Sequence, residues 1–181
     1  MTAEQVRREF DAEVVWLPFD LHPEYPPEGI PLEQLHRRYG IEAGERDPMS
    51  DGFAAAGLEY DRPDVVPNTR VALRLSELAR EHGLHDRFHD RLMEAYWSEA
   101  TNIGDSDELR RLSAEIGLDE GEVERVLADP AAYLDLVEGS TRQAQSIGIN
   151  AIPAFLLDRR LIVLGAQPPE VFRSAFAQLA A

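Results

Sequence analysis

The chain contains no cysteine. Within these residues that excludes structural disulfides, zinc–thiolate and iron–sulfur sites, and any cysteine nucleophile. Long apolar runs are also lacking; none approaches the roughly 18 residues that a membrane-spanning helix needs. Positive charge is scarce. Lys and Arg together number 18 against 34 Asp and Glu, giving a net charge of −16 and a pI near 4.6. A chain that acidic repels phosphate backbones and anionic bilayers, so neither nucleic acid nor a membrane is an expected partner. The first ten residues, MTAEQVRREF, are charged and lack the apolar core of a secretory signal. The default expectation is a cytoplasmic protein.

What is present suits one domain, or one domain with a sizeable insertion: 181 residues, 44% of them hydrophobic. Thr2 followed by Gln5 is a capping-box pattern, with Val6 and Phe10 on one helix face. Residues 13–17, EVVWL, read as a buried strand closed by Pro18. Residues 19–31 hold four prolines and a glycine and read as ordered loop. Pro31 suits the first position of a helix over LEQLHRRY, which Gly40 stops. Residues 41–68 are turn-rich, with about one helical turn near 53–56. Five helices are predicted from about 69 to 147. Four of them start at Asn68 or Thr69, Asp105 with Glu108, Asp119 with Glu122, and Asp129-Pro130, and the second follows Gly83 with Leu84, Phe88, Leu92, Ala95 and Tyr96 at helical spacing; Gly83, Gly117 and Gly148 are stops. The last of them should bury Tyr133, Leu134, Val137, Ala144 and Ile147. Residues 152–157 and 161–164, around a polar turn at 158–160, predict an antiparallel hairpin. Pro168-Pro169 then opens a final helix with Phe172, Ala175, Phe176 and Leu179 on one face. Strands separated by a helical excursion usually share a sheet, which predicts an α/β sandwich with a helical insertion.

The segment INAIPAFLLDRRLIVLGAQPPEVF resembles the C-terminal part of DsbA-family, thioredoxin-like proteins. There, Gly-x-x-Val-Pro-x-Phe leads into a hairpin and a Gly-Ala-Gln turn. VVWLPFDLHPEYPPEGIP resembles the strand and loop after the first helix in the FrnE-like branch, and VPNTRVALRLSELAREHG and NIGD (102–105) resemble its helical insertion. The resemblance covers nearly the whole chain. It implies a thioredoxin-like domain of residues 1–62 and 149–181, interrupted by an all-helical insertion over 63–148. Family members begin with a strand and a Cys-x-x-Cys motif at the start of the first helix; both are missing here. The first strand lies inside the sheet in that fold, so its loss is expected to leave a slot with unpaired backbone groups. A reading frame that starts further upstream is the expectation that follows; a true truncation with altered packing is the alternative.

The activity implied is thiol–disulfide oxidation or isomerisation on a protein or small thiol or disulfide substrate. In such motifs a helix N-terminus stabilises a thiolate, which attacks a disulfide, and the second thiol resolves the mixed disulfide. With neither sulfur present, this chain is expected to be inactive in that reaction and to need no cofactor. Two alternatives stand: a glutathione-dependent isomerase of the hydroxychromene-carboxylate isomerase type, or a non-catalytic peptide-binding module. A homodimer is compatible with any of the three.

By resemblance, the Ile152–Pro153 bond is cis and turns the Ile152 backbone toward a bound peptide. Ile152, Pro153, Asn68, Gly165 and Gln167 are the substrate-binding candidates. Asn68, Thr69, Asn102 and Asp105 are first of all helix caps. Glutathione-using relatives tend to carry an acidic residue after the glycine of Gly165-Ala166-Gln167; Ala-Gln here favours the disulfide branch. His82, His85 and His89 cluster near Asp86 and Asp90, but alternating His and Asp usually mark a solvated helix face, so no metal site is expected. His22 and His36 have no partner at ligand spacing. Tyr96 and Trp97 read as core packing of the helical block rather than groove residues.

Overall fold

The computed structural model describes residues 3–41 and 48–180. The chain divides into two compact units, Met1–Leu21 with Gly139–Ala181, and His22–Glu138.

The first unit is built on α1 (Ala3–Phe10), the hairpin β3 (Ala154–Leu157) and β4 (Leu161–Leu164), and α9 (Pro169–Ala180). Pro169 opens α9 where its missing N–H costs nothing. Val6, Leu157, Val163, Phe172 and Ala175 form the buried cluster, with Phe10, Val14 and Phe155 packed against it. Phe10 stacks on Phe176 at 4.0 Å, and Phe155 meets Phe172 edge-on at 4.9 Å. Each such side chain contributes about 1.5–3 kcal/mol by leaving water. In the hairpin, Ala154 pairs with Leu164 and Leu157 with Leu161. Arg160 N–H donates to Leu157 O at 2.9 Å, and Asp158 and Arg159 both have positive φ, 48° and 55°. That is the turn whose twist matches a hairpin.

Several expectations change here. Residues 13–17 alternate in burial with period two, as a strand would, and, in line with the expected slot, join no ladder among the described residues. Val15 and Leu17 are exposed, so the segment is not the buried strand predicted. Strand β3 begins at Ala154, not at 152. The helix expected from Pro130 begins four residues later, as α8 (Leu134–Ser146), because Tyr133 adopts a left-handed φ of 59° that breaks the turn. Ile147 lies beyond its end and is exposed. Thr2, the expected cap of α1, lies outside the described residues.

The second unit holds α2 (Leu32–Tyr39), α3 (Pro48–Ala55), α4 (Arg70–Glu81), α5 (His85–Ser98), α6 (Ser106–Ile116) and α7 (Glu120–Ala128). Its core includes Leu75, Phe88, Leu109 and Leu112, all completely buried. Asp105 accepts from the N–H groups of Asp107 and Glu108, and Asp119 from that of Glu122, so both predicted caps are in place. Gly40 and Gly117 end their helices in the left-handed conformation. Two short strands, β1 (Ile30–Pro31) and β2 (Val65–Val66), pair antiparallel where only loop was expected. Proline-rich flanks hid them: Pro31 fills a strand-end position that needs no N–H, and sits just before α2 rather than inside it. Helix α3 spans eight residues, more than the single turn predicted. The expected single sheet is, among the described residues, two separate two-stranded ladders.

Every basic Lys/Arg position in the chain is an arginine. Arg91 bridges Glu99 and Glu115, Arg110 reaches Asp107 and Glu124, and Arg111 holds Glu108 and Glu115. Hydrogen bonding from Arg91, with Arg111, holds the Glu115 carboxyl below the usual carboxylate range.

Candidate functional site

Four of the five candidate binding residues lie in the first unit. Ile149 is buried and anchors the strand entry. The Ile152–Pro153 peptide bond is cis. Gly165 N–H donates to Pro153 O at 2.7 Å, extending the ladder one step beyond the Ala154–Leu164 pair. Gly165 does this at φ 78°, a left-handed conformation that favours glycine. Gln167 closes the turn: its N–H donates to Gly165 O at 3.0 Å, and its Nε2 to Leu164 O at 2.8 Å. Pro153, Gly165 and Gln167 thus form one locked junction. Ile152 projects from it, 56% exposed, and makes no hydrogen bond among the described residues. Residues 151–157 and 161–169 contain no titratable side chain. The junction can recognise a backbone and apolar groups; it holds nothing that attacks or moves a proton.

Asn68, the fifth candidate, belongs to the second unit. Its Oδ1 accepts from Arg70 N–H at 3.0 Å, at the start of α4. Its Nδ2 donates to Tyr25 O at 2.7 Å, which pins the proline-rich 22–31 segment. Both ends of the amide are therefore engaged structurally. Asn102 Oδ1 accepts from Gly104 N–H at 3.0 Å. A Cβ on Gly104 would lie 3.0 Å from both Asn68 O and Pro67 Cβ, so this turn rests against Pro67–Asn68 only as glycine. Tyr25 is buried, stacked on His22 at 4.3 Å, and burial pushes its hydroxyl pKa up. Sequence reasoning singled out NIGD but not the Gly104 approach, and passed over Tyr25 altogether. A lone tyrosine between prolines has no periodicity to mark it.

The remaining candidates are structural. Tyr96 is in the core, and Trp97 packs with Phe53 and Tyr60 at 5.6 and 6.1 Å. His82 meets Glu122 at 2.8 Å, and His22 meets Glu24 at 3.1 Å. His85 and His89 stack, with ring centroids 6.3 Å apart. Among the described residues no three His, Cys, Asp or Glu side chains converge as a metal site would require.

Comparison with known proteins gives these features a setting. A family model for the DSBA-like thioredoxin domain matches residues 2–177. The uncharacterized protein YwbO of Bacillus subtilis is 29% identical over 170 residues, 92% of this chain and 82% of that protein. The crystal structure of a probable DsbA oxidoreductase from Streptomyces coelicolor superposes with a TM-score of 0.84 at 38% identity, over 94% of this chain and 77% of that one. A 2-hydroxychromene-2-carboxylate isomerase structure matches at TM-score 0.70 and 15% identity, over 98% of this chain and 86% of its own, a likeness of fold alone. No helix among the described residues is long and apolar enough to cross a membrane.

Proposed function

Since the chain belongs to the DSBA-like thioredoxin domain family, we propose that it binds an extended polypeptide, the substrate class of the FrnE-like disulfide branch, and does not itself exchange disulfides. The observation that carries this reading is the exposed Ile152 beside the locked Pro153–Gly165 junction. An exposed residue held at a strand entry, with no hydrogen bond of its own, can pair its backbone with another extended chain, as an added strand does. Ile152, Pro153, Gly165 and Gln167 form the recognition element, and Asn68 orders the start of the helical insertion over 63–148. The chemistry around them is consistent: with no cysteine in these residues, a mixed disulfide cannot form here. The similarity to a probable DsbA oxidoreductase supports the disulfide branch over the isomerase. So does Ala166, which stands where glutathione-using relatives tend to carry a carboxylate.

Two measurements test the reading. In an insulin-reduction assay, the purified 181-residue chain should show no turnover above background; clear turnover would defeat the account of the missing thiols. By calorimetry, an unfolded, reduced and alkylated polypeptide should bind. Gly165→Val, which strains the left-handed turn, should weaken that binding roughly tenfold, or about 1.4 kcal/mol. Absence of polypeptide binding, or tighter binding of glutathione, would overturn the proposal.

A further inference from the structure

The peptide bond between Asp129 and Pro130 lies in the second unit, in the turn after α7. Asp129 closes α7 in an extended conformation, φ −105° and ψ 102°, and both residues are exposed. The carbonyl oxygen of Asp129, which belongs to the bond with Pro130, accepts two hydrogen bonds. Ala132 N–H donates to it at 3.1 Å, and Nη2 of Arg74, on α4, donates to it as well. A turn needs only the first of these; the cation on the same oxygen is additional. Arg74 is 4% exposed, and its further bonds, to Val126 O and to Ala132 O at 2.7 Å, fix the guanidinium in place. The Asp129 carboxylate is held too. Its Oδ1 accepts from Ala131 N–H at 3.0 Å, a local turn that spans the bond to Pro130. Its Oδ2 makes no hydrogen bond among the described residues.

Two donors on one carbonyl oxygen, one of them cationic and shielded from water, are what stabilises an oxyanion. A carboxylate tethered to the same carbonyl carbon supplies a nucleophile whose proximity is built in. The leaving group is the nitrogen of a tertiary amide, which takes up a proton more readily than that of an ordinary peptide. We propose that the second unit cleaves its own Asp129–Pro130 bond in mild acid. Oδ2 of Asp129 attacks the Asp129 carbonyl carbon, and the new C–O bond closes a five-membered ring. The charge that develops on the carbonyl oxygen is held by Arg74 and the Ala132 N–H. The bond from that carbon to the Pro130 nitrogen then breaks, the nitrogen takes a proton from solvent, and a cyclic anhydride is left on Asp129. Water opens the anhydride and restores two carboxyl groups. The sum is hydrolysis of one peptide bond, with Pro130 as a new N-terminus. Exposure of both residues gives water and protons access to the bond.

Intact-mass spectrometry of the full chain, held at about pH 5 and shown to be folded by circular dichroism, tests this; that is roughly one unit above the ordinary aspartate pKa. Fragments 1–129 and 130–181 should accumulate at least about tenfold faster than from the same chain unfolded in urea, since one oxyanion donor alone is worth about 10²–10³-fold. Asp47–Pro48, the other Asp–Pro bond of the sequence, is the internal comparison and should be cut more slowly. Asp129→Glu, which needs a six-membered ring, and Pro130→Ala, which removes the tertiary amide, should each slow the cut at least about tenfold. Both change exposed residues, so they carry the test even if an Arg74 variant fails to fold. Where it folds, Arg74→Lys should slow the cut by a similar factor, because it loses the guanidinium fork. In water labelled with heavy oxygen, the label should appear in both carboxyl groups of Asp129, since water can open the anhydride at either carbonyl. Label confined to the α-carboxyl overturns the proposal. So does a rate no faster than in urea or at Asp47–Pro48, or one unchanged by Asp129→Glu. The polypeptide-binding test above reads a different site and can fail independently.

Discussion

Arg74 is the buried arginine among the described residues. Its guanidinium donates to the carbonyls of Ala132 at 2.7 Å, Val126 and Asp129. Burial pushes its pKa down, and the nearby Asp129 offsets this. The accepting carbonyls lie at the C-terminal end of α7 and the turn after it, where helix carbonyls lack partners and the dipole is negative. Arg74→Met should cost roughly 2–4 kcal/mol in urea unfolding, because it strands those carbonyls, and Arg74→Lys should recover little of it. A loss below about 1 kcal/mol would contradict this account. The stacked pair His85 and His89 gives the acid response. Burial lowers both pKa values below the ordinary 6.5; Arg80 adds to the effect at His85, while Asp86 and Asp90 oppose it at His89. The folded state therefore favours the neutral rings. Their contribution is complete above pH 6.5 and is lost as pH falls from there through the lowered values. The melting temperature should drop on acidification in that window, and a His85→Gln, His89→Gln double variant should flatten the slope. An unchanged slope would show that the two rings are not the titrating groups.

Among the elements, the hairpin turn is under avoidable strain. Arg159 holds a left-handed φ of 55° with a Cβ, and Arg160, not Arg159, is the residue near Asp158, at 3.8 Å. Arg159→Gly should stabilise by roughly 0.5 kcal/mol, the relief of left-handed strain less the glycine entropy. A lower melting temperature would count against that turn geometry. The hairpin and the helices α4 to α7 were legible because apolar residues recur at the right period between punctuation such as Asp105 and Asp119 at starts and Gly117 at a stop, whereas α8 was legible in its body but not at its start. What was not legible depends on partners distant in sequence. The β1–β2 ladder pairs Ile30 with Val66 across 36 positions of turn-rich chain, where no periodicity could announce it. Residues 13–17 have the composition of a buried strand; that they would go unpaired was expected, but their exposure was not, because burial is a property of neighbours, and among the described residues no ladder takes them up. At the candidate site, the cis bond and the glycine turn were anticipated from a family likeness. The contacts that brace them, Gln167 to Leu164 and Asn68 to Tyr25, were not, because side-chain amides carry no sequence signal of their targets.

At the scale of the molecule, the two units differ in what holds them. The first relies on a small apolar cluster, with Arg173 joined to Glu9 at its surface. The second combines a larger core with arginine–carboxylate networks over α5, α6 and α7. Such exposed pairs each contribute little alone, and networks of them contribute more. Arg91, Arg110 and Arg111 each reach more than one carboxylate, so loss of one of their pairs can be absorbed by another. The exclusive use of arginine has a practical corollary. With neither an ε-amine nor a thiol on any side chain, acylating dyes, amine cross-linkers and maleimides find no side-chain target in these 181 residues. The molecule supplies its own reporters instead. Its two tryptophans fall one to each unit, Trp16 in the first and Trp97 in the second, so replacing either by phenylalanine leaves an intrinsic fluorophore that follows the unfolding of a single unit.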